Sequence, residues 1–384
     1  MQICPQHELC GGCYYQGTPY EEQIEKKDSL VKRFIEDNNI RTEEYHDIVP
    51  SPKIMGYRNK MEYTFGNLEI DDELSLGMHV RKRYMSIVTV PECMLVDNDF
   101  NIVLSGVLAF CQDKEYSFYH KKTHSGLLRN LVVRKGERTK ELLVNIITSS
   151  QESFDEKEFI QMLLSLDLDN TIVGIIHTIY DGRADIVACD EMRLLWGRDY
   201  YTEMILGLEF KVTAFSFFQT NISAVERLYK DALKLIPDLE GKTVFDLYCG
   251  TGTISQALAL KAKEVVGIEI IPEAAAAAEI NAEINGLTNI RFIAGDVLEA
   301  LDLTEAKPDI ITIDPPRAGI YPKSLKKIIE YNVKEMVYIS CNPKTLVYDL
   351  LALQNAGYKV KSIRSYDNFP YTKHVETIVL LQRR

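Results

Sequence analysis

The 384-residue chain has no apolar run near the roughly 18 residues that cross a bilayer, and no basic-then-apolar start marking an export signal. A cytoplasmic location with no membrane partner is therefore expected. There is no internal repeat, low-complexity tract or long disordered linker, which excludes solenoid and fibrous architectures. Positive charge is also in deficit: 44 Lys and Arg stand against 56 Asp and Glu, a net charge of −12. That balance weighs against capture of nucleic acid by the whole surface, but binding is felt locally. From His120 to Lys140 the chain carries Lys121, Lys122, Arg129, Arg134, Lys135, Arg138 and Lys140 against one acid, Glu137, and Arg81-Lys82-Arg83 forms a second cluster. Such runs are either a basic binding face or solvated hairpin loops.

What is present is enough for two or three domains with sizeable cores, 46% of residues being hydrophobic and 26% charged. Tyr20 to Asn38 reads as a helix with Ile24, Leu30, Val31, Phe34 and Ile35 on one face. From about Ile48 to Phe210 short strands (Asn59 to Gly66, Leu74 to His79, Leu131 to Lys135, Leu142 to Thr148, Thr171 to Thr178) alternate with turns, interrupted by helical patches at Asn98 to Gln112 and Phe154 to Leu166. This is an α+β domain of substrate-binding type.

From about Thr213 the rhythm becomes strand–helix alternation. Apolar strands are expected at Thr243 to Tyr248, Glu264 to Ile270, Ile290 to Gly295, Asp309 to Asp314, Glu335 to Ser340, Lys359 to Tyr366 and Glu376 to Leu381. Near-continuous apolar strands between helices imply a doubly wound parallel sheet. The last two strands lie too close for a helical crossover and should pair as an antiparallel edge hairpin.

Chemistry-bearing motifs sit at the strand ends. Val244-Phe245-Asp246-Leu247-Tyr248-Cys249-Gly250-Thr251-Gly252-Thr253 is a glycine turn between strand and helix, where Gly250 and Gly252 let the backbone approach a ligand. Glu269, about 20 residues on, lies where a ribose diol would be bound, and Asp296 where a carboxylate could reach an adenine amino group. The turn is not Gly-x-Gly-x-x-Gly, which favours S-adenosylmethionine over a dinucleotide. Asp314-Pro315-Pro316-Arg317-Ala318-Gly319 closes another strand, and Ile339-Ser340-Cys341-Asn342-Pro343 hands a thiol to the sheet's carboxyl edge. Phe369-Pro370-Tyr371-Thr372-Lys373-His374-Val375-Glu376 supplies a late carboxylate, and Phe215-Ser216-Phe217-Phe218-Gln219-Thr220-Asn221 precedes the alternating region.

Eight cysteines without an export signal do not suggest a disulfide framework. Cys111 and Cys189 read as buried small hydrophobes. Cys4-x5-Cys10-Gly11-Gly12-Cys13 and the distant Pro91-Glu92-Cys93 offer four thiolates that could hold zinc or a [4Fe–4S] cluster, and spacing alone does not decide.

Together these motifs, spread from Cys4 to Leu381, closely resemble the RNA uracil-5-methyltransferase family. The resemblance implies a C-terminal class I methyltransferase domain (213–384), Rossmann-like with a seven-stranded doubly wound sheet, a central α+β RNA-binding domain (48–212), and an N-terminal cysteine loop and helix (within 1–95). It implies S-adenosylmethionine held by Gln219, Tyr248, Gly250, Glu269, Asp296 and Asp314, and a target base stacked on Phe217. By resemblance Cys341 is the nucleophile, Glu376 takes a proton and Asp314 bonds the base edge or cofactor. The cysteine arrangement is similar to that of ribosomal-RNA members, in which Cys4, Cys10, Cys13 and Cys93 would ligate a structural [4Fe–4S] cluster. Many cluster-bearing relatives begin with a small RNA-gripping β-barrel, and here the first cysteine is residue 4, so that module is expected to be missing. The implied partner is RNA, 23S ribosomal RNA first and transfer RNA second, bound by a monomer.

Two other readings compete. An amino-methyltransferase would share Asp314-Pro315-Pro316 but needs an aromatic where Arg317 stands and has no use for a nucleophilic cysteine. A non-catalytic iron–sulfur RNA-binding protein would have no reason to combine Cys341, Glu376 and a cofactor turn.

Overall fold

Apolar strands from Val244 onward cannot face water on either side, so the sheet that holds them must be covered on both faces. The computed structural model describes residues 3–236, 238–301, 304 and 307–383 and contains such a sheet, of eight strands. Across it run Ile290–Ala294, Glu264–Glu269, Thr243–Leu247, Ile310–Ile313, Glu335–Ser340, Glu376–Arg383, Tyr358–Tyr366 and Thr42–Val49. The first five are parallel. Glu376–Arg383 runs antiparallel to both its neighbours, as its short connection requires. Strand order reverses between Thr243–Leu247 and Ile310–Ile313, the kind of switch point at which open α/β sheets take ligands.

The eighth strand differs from the expectation of seven. Thr42–Val49 (Thr-Glu-Glu-Tyr-His-Asp-Ile-Val) pairs in parallel with Tyr358–Tyr366. It is an edge strand with mostly polar, half-exposed side chains, so its sequence shows no apolar alternation. The helix expected near the N-terminus forms at Tyr20–Asp37, with Glu21 and Glu22 in its first turn, where the helix dipole favours acids. Asn39, in the left-handed region at φ 53°, follows its end. Val31 and Ile35 join the core of the eight-stranded sheet, with Phe245, Ile311, Met336 and Val379. Burying each is worth about 1.5–3 kcal/mol, which ties this helix to that core.

The chain divides into two compact units: Met1–Gly17, Lys53–Met204 and Lys211–Ser216 in one, and Thr18–Pro52, Ile205–Phe210 and Phe217–Arg384 in the other. The helix grouped by sequence with the cysteine loop thus belongs to the unit carrying the eight-stranded sheet. The first unit has a seven-stranded sheet in the order Arg83–Thr89, Ser75–Val80, Lys60–Gly66, Leu128–Lys135, Glu141–Thr148, Thr171–Ile179, Glu191–Gly197. All its pairings are antiparallel except Glu141–Thr148 with Thr171–Ile179. Helices Asn98–Asp113 and Glu156–Leu164 pack on it through Phe100, Val103, Leu104, Phe159 and Leu163. Cys111 is buried there as expected. Cys189 is not: it is exposed in the irregular segment between Thr171–Ile179 and Glu191–Gly197. Among the described residues no helix is long and apolar enough to cross a membrane.

Candidate functional site

The glycine turn is a run of left-handed backbone: Tyr248 has φ 65°, Gly250 φ 56° and Gly252 φ 76°. A Cβ on Gly252 would meet Phe292 at 2.8 Å and Ala278 at 3.0 Å, so this glycine is required by close packing. A Cβ on Gly250 would meet nothing within 4 Å, so the turn opens there onto free space in which a ligand could lie. At the end of the neighbouring strand Glu269 is buried, its carboxylate accepting from Gly250 N (3.0 Å) and Ile271 N (2.9 Å). Asp296 is exposed and caps the short helix Val297–Ala300, accepting from Leu298 N at 2.8 Å.

Beneath the turn Asp246 is buried, accepting from Ser255 Oγ and from Thr312 Oγ1 (2.7 Å). Burial pushes its carboxyl up to about 6 despite those donors. Sequence reasoning missed Ser255 and Thr312. The signal was a hydroxyl inside the apolar run Ile310-Ile311-Thr312-Ile313, which a buried strand tolerates only with a partner.

Three reactive groups meet at one edge of the sheet. Asp314 follows strand Ile310–Ile313, Cys341 follows the adjacent Glu335–Ser340, and Glu376 opens the next strand, which is antiparallel and so begins where its neighbours end. Register confirms the alignment, with Ile313 opposite Tyr338 and Ser340 opposite Thr377. The groups feel one another. Burial, then the Glu376 and Asp314 carboxylates, push the Cys341 thiol up to about 11, opposed by the Arg317 guanidinium. Burial and the Asp246 carboxylate raise Asp314 to about 7. Burial, then Asp314, hold Glu376 well above the usual carboxyl range.

The surrounding loop is held by groups that sequence reasoning left unassigned. Asp349 accepts from Ile320 N (3.0 Å) and Tyr338 OH (2.6 Å), fixing the segment after Asp314, where Gly319 has φ 83°. Asn342 Nδ2 donates to Arg317 O (2.8 Å), while its Oδ1 caps helix Pro343–Asn355 at Lys344 N (3.2 Å). Arg317 Nη2 lies 3.4 Å from His374 Nδ1.

In the segment before the helix Ile222–Leu235, Phe217 is 71% exposed while Phe218 is buried, its ring centroid 5.8 Å from that of Phe210. Gln219 Nε2 donates to Tyr229 OH (3.1 Å), and that buried hydroxyl lies 3.2 Å from Thr253 Oγ1 beside the glycine turn.

The four N-terminal-region thiols are in the other unit. The loop 9–13 is pinned to strand Ser75–Val80 through Gly11 N to His79 O (2.9 Å) and Arg81 N to Leu9 O (2.7 Å). Cys4 is buried, and Cys10, Cys13 and Cys93 are half-buried. Burial, then the charges of Cys93, Cys10 and Cys4, push Cys13 up to about 12, so the four thiols lie within electrostatic reach of one another. Several N–H groups point at sulfur: Gly12 N to Cys10 Sγ (3.4 Å), Gln16 Nε2 to Cys13 Sγ (3.6 Å), and the Leu95 and Val96 amides to Cys93. Among the described residues no three His, Cys, Asp or Glu side chains gather closely enough to hold a metal ion.

The basic run is largely consumed by the fold. Arg134 is buried, donating to Thr213 O (2.7 Å) and Ser216 O (2.5 Å). Lys135 is buried against Asp97 (2.6 Å) and Glu137 (3.3 Å). Arg129 lies between the Tyr119 and Tyr180 rings and donates to Tyr180 O and Ala184 O. Lys121 pairs with Asp185 at 2.6 Å. Of the seven, Lys122, Arg138 and Lys140 are exposed. Alternation hid this, because a strand with both faces buried turns its charged residues inward as well.

The tRNA (uracil-5-)-methyltransferase family model matches residues 186–384. A protein of Clostridium acetobutylicum described as an uncharacterized RNA methyltransferase is 48% identical over 99% of this chain and 84% of its own length. One from Caldanaerobacter subterraneus subsp. tengcongensis, described likewise, is 43% identical over 99% of this chain and 84% of its own. The crystal structure of Pyrococcus abyssi tRNA (uracil-54, C5)-methyltransferase in complex with S-adenosyl-L-homocysteine superposes with a TM-score of 0.80 and 28% identity. It covers 97% of this chain and 86% of that one. A glycine turn, a thiol and two raised carboxyls on a class I methyltransferase sheet thus come with matches over nearly the whole chain, and the chain belongs to the tRNA (uracil-5-)-methyltransferase family of RNA methyltransferases.

Proposed function

We propose that the chain methylates carbon 5 of a uridine in RNA through a covalent adduct on Cys341. The observation that carries this reading is the convergence of Cys341, Asp314 and Glu376 at adjoining strand ends, where burial suppresses the acidity of all three and the Asp314 carboxylate adds to it at Cys341 and Glu376. Carbon 5 of uracil is a poor nucleophile. Addition of the Cys341 thiolate to carbon 6 moves the ring's double-bond electrons onto the carbon 4 oxygen as an enolate, and carbon 5 then becomes nucleophilic. S-adenosylmethionine supplies the electrophilic methyl group on a cationic sulfur. Glu376 takes the carbon 5 proton, the ring double bond re-forms, and the carbon–sulfur electron pair returns to Cys341. Asp314 holds the base edge or the cofactor, and the exposed Phe217 ring stacks on the extruded base.

The residues present fit the cofactor: free space over Gly250, a carboxylate at Glu269 where a ribose hydroxyl would lie, and Tyr248, Gln219 and Asp296 around the same turn. In the other unit Cys4, Cys10, Cys13 and Cys93 would ligate a [4Fe–4S] cluster, a reading that rests on the cysteine pattern, since among the described residues no three such side chains gather around one point. N–H groups aimed at sulfur are what cluster thiolates use. The cluster would serve as a structural staple, since the methyl transfer needs no electron.

We take 23S ribosomal RNA as the substrate on the strength of the cysteine loop. A second reading, a transfer-RNA T-loop uridine, is favoured by the likeness to the Pyrococcus abyssi tRNA (uracil-54, C5)-methyltransferase. The test is incubation of the protein with unmodified 23S and transfer-RNA transcripts, each also prepared with 5-fluorouridine. Methyl incorporation into one transcript and a covalent complex with its fluorinated form, lost in Cys341→Ala, are expected. Normal methylation by Cys341→Ala would overturn the covalent reading.

A further inference from the structure

The connection between Tyr358–Tyr366 and Glu376–Arg383 is nine residues long, against two to five for most hairpins. It is also buried, with Asp367 1%, Asn368 4%, Tyr371 3% and Thr372 8% exposed. A buried loop must find partners for its backbone polar groups. Here they come from two distant parts of the chain in the same unit. Lys27, on the helix Tyr20–Asp37, donates to Asp367 Oδ1 (2.6 Å) and Phe369 O (3.0 Å). One turn earlier Gln23 accepts from Tyr371 N (2.9 Å) and donates to Thr18 O (2.8 Å). Asn221, the cap of helix Ile222–Leu235, donates to Asn368 O (2.8 Å). Tyr371 is held at φ 64°, a conformation its side chain disfavours. Three residues later the loop delivers His374, Val375 and Glu376.

Lys27 and Asp367 are both fully buried. A buried ion pair rarely adds stability over apolar residues of similar size, because both ions lose their hydration. Burial holds Lys27 below the ordinary lysine value even with the Asp367 carboxylate beside it. What a directional pair supplies that an apolar contact cannot is a fixed loop geometry. We propose that Lys27 and Gln23 are positioning residues for proton removal: they set the loop that aims the Glu376 carboxylate at carbon 5, and so govern release of the methylated base from Cys341. This rests on the reading of Glu376 as the base. Adduct formation depends on Cys341, which follows a different strand, Glu335–Ser340, so loosening the loop should slow release more than formation.

The test uses the full chain, radiolabelled S-adenosylmethionine and whichever unmodified transcript accepts methyl groups. Formation and decay of the protein-linked, methylated RNA are followed in a single turnover on denaturing gels. The variants are Lys27→Met, Gln23→Leu, the apolar pair Lys27→Met/Asp367→Leu, and Glu376→Gln as reference. A misplacement of about 1 Å can cost on the order of 100-fold. Lys27→Met and Gln23→Leu should therefore retain adduct about 10- to 100-fold longer than wild type, with formation nearly unchanged. The apolar pair should melt close to wild type yet still release slowly. Lys27→Arg, which keeps the charge and the donors, should recover part of the release rate. If Glu376→Gln traps adduct while the Lys27 and Gln23 variants decay at the wild-type rate, the positioning role is wrong and the base assignment stands. Parallel loss of formation and decay in step with melting temperature would also overturn it, leaving only a structural pair. If Glu376→Gln itself releases normally, the base assignment falls and takes this inference with it.

Discussion

The acidity of Cys341 offers a quantitative test that needs no RNA. The protein raises this thiol to about 11 through burial and the Glu376 and Asp314 carboxylates. At pH 8 about 0.1% of such a thiol is ionised, against about a quarter of one titrating at about 8.5. The more basic thiolate is intrinsically about tenfold more nucleophilic, with a Brønsted slope near 0.4–0.5. Cys341 in the unliganded protein should therefore be alkylated by iodoacetamide roughly 20-fold more slowly than free cysteine at pH 8. Its rate should climb tenfold per pH unit to beyond pH 10. Peptide mass spectrometry resolves it from the other cysteines. Glu376→Gln removes the larger opposing charge and should lower the midpoint, whereas Arg317→Met removes the favourable one and should raise it. S-adenosylmethionine carries a positive sulfur and S-adenosylhomocysteine does not, so the first should lower the midpoint by about one unit or more and the second should not. A midpoint at or below 8.5 in the unliganded protein would refute the electrostatic account of this site.

The two turn glycines should separate folding from ligand binding. Gly252→Ala forces a Cβ against Phe292 and should lower the melting temperature markedly, while Gly250→Ala should cost about 1–2 kcal/mol of backbone strain and chiefly weaken cofactor binding by calorimetry. Asp246 and Asp314 are raised to about 6 and 7 in the folded protein, so the native state binds more protons than the unfolded chain between about pH 4 and 7. Their contribution to stability is complete below about 3.9 and is lost as pH rises through 6 to 7, so Asp314→Asn should raise the melting temperature at pH 8 and leave it nearly unchanged near pH 4. Replacing Lys122, Arg138 and Lys140 with Ala should flatten the salt dependence of RNA binding by about 0.7 per lost phosphate contact on a single strand. Lys135→Met should instead cost stability, on the order of 1–3 kcal/mol by unfolding titration, because Asp97 and Glu137 lose their shared buried partner while Asp97 keeps the Asp99 amide and Glu137 keeps Lys53. Protein purified without air should carry about four irons per chain and lose them in Cys10→Ser or Cys93→Ser, and stoichiometric zinc without iron would overturn the cluster.

Sequence alone determined the elements whose signal is local. Apolar strand runs bounded by Gly, Pro or Asp marked all seven strands from Thr243 onward, and Gly250, Gly252 and Gly319 mark turns that need left-handed backbone. That Cys341, Asp314 and Glu376 share one edge was legible because each ends or begins such a run, and strand ends in this architecture fall on one edge, whereas the roles expected of them came from the family resemblance. Tertiary structure decided what depends on distant partners. The strand Thr42–Val49 is polar enough to hide, and only its pairing with Tyr358–Tyr366 makes it part of the sheet. Gln23 and Lys27 looked like the solvated side of a helix, yet they are buried because a loop 340 to 348 residues away needs their hydrogen bonds. Arg134 and Lys135 read as part of a basic face or of solvated hairpin loops, but both are buried in the fold. A side chain's type states what bonds it can make. Which neighbour takes them, and whether water is excluded there, is set by chain packing that no short window of sequence contains.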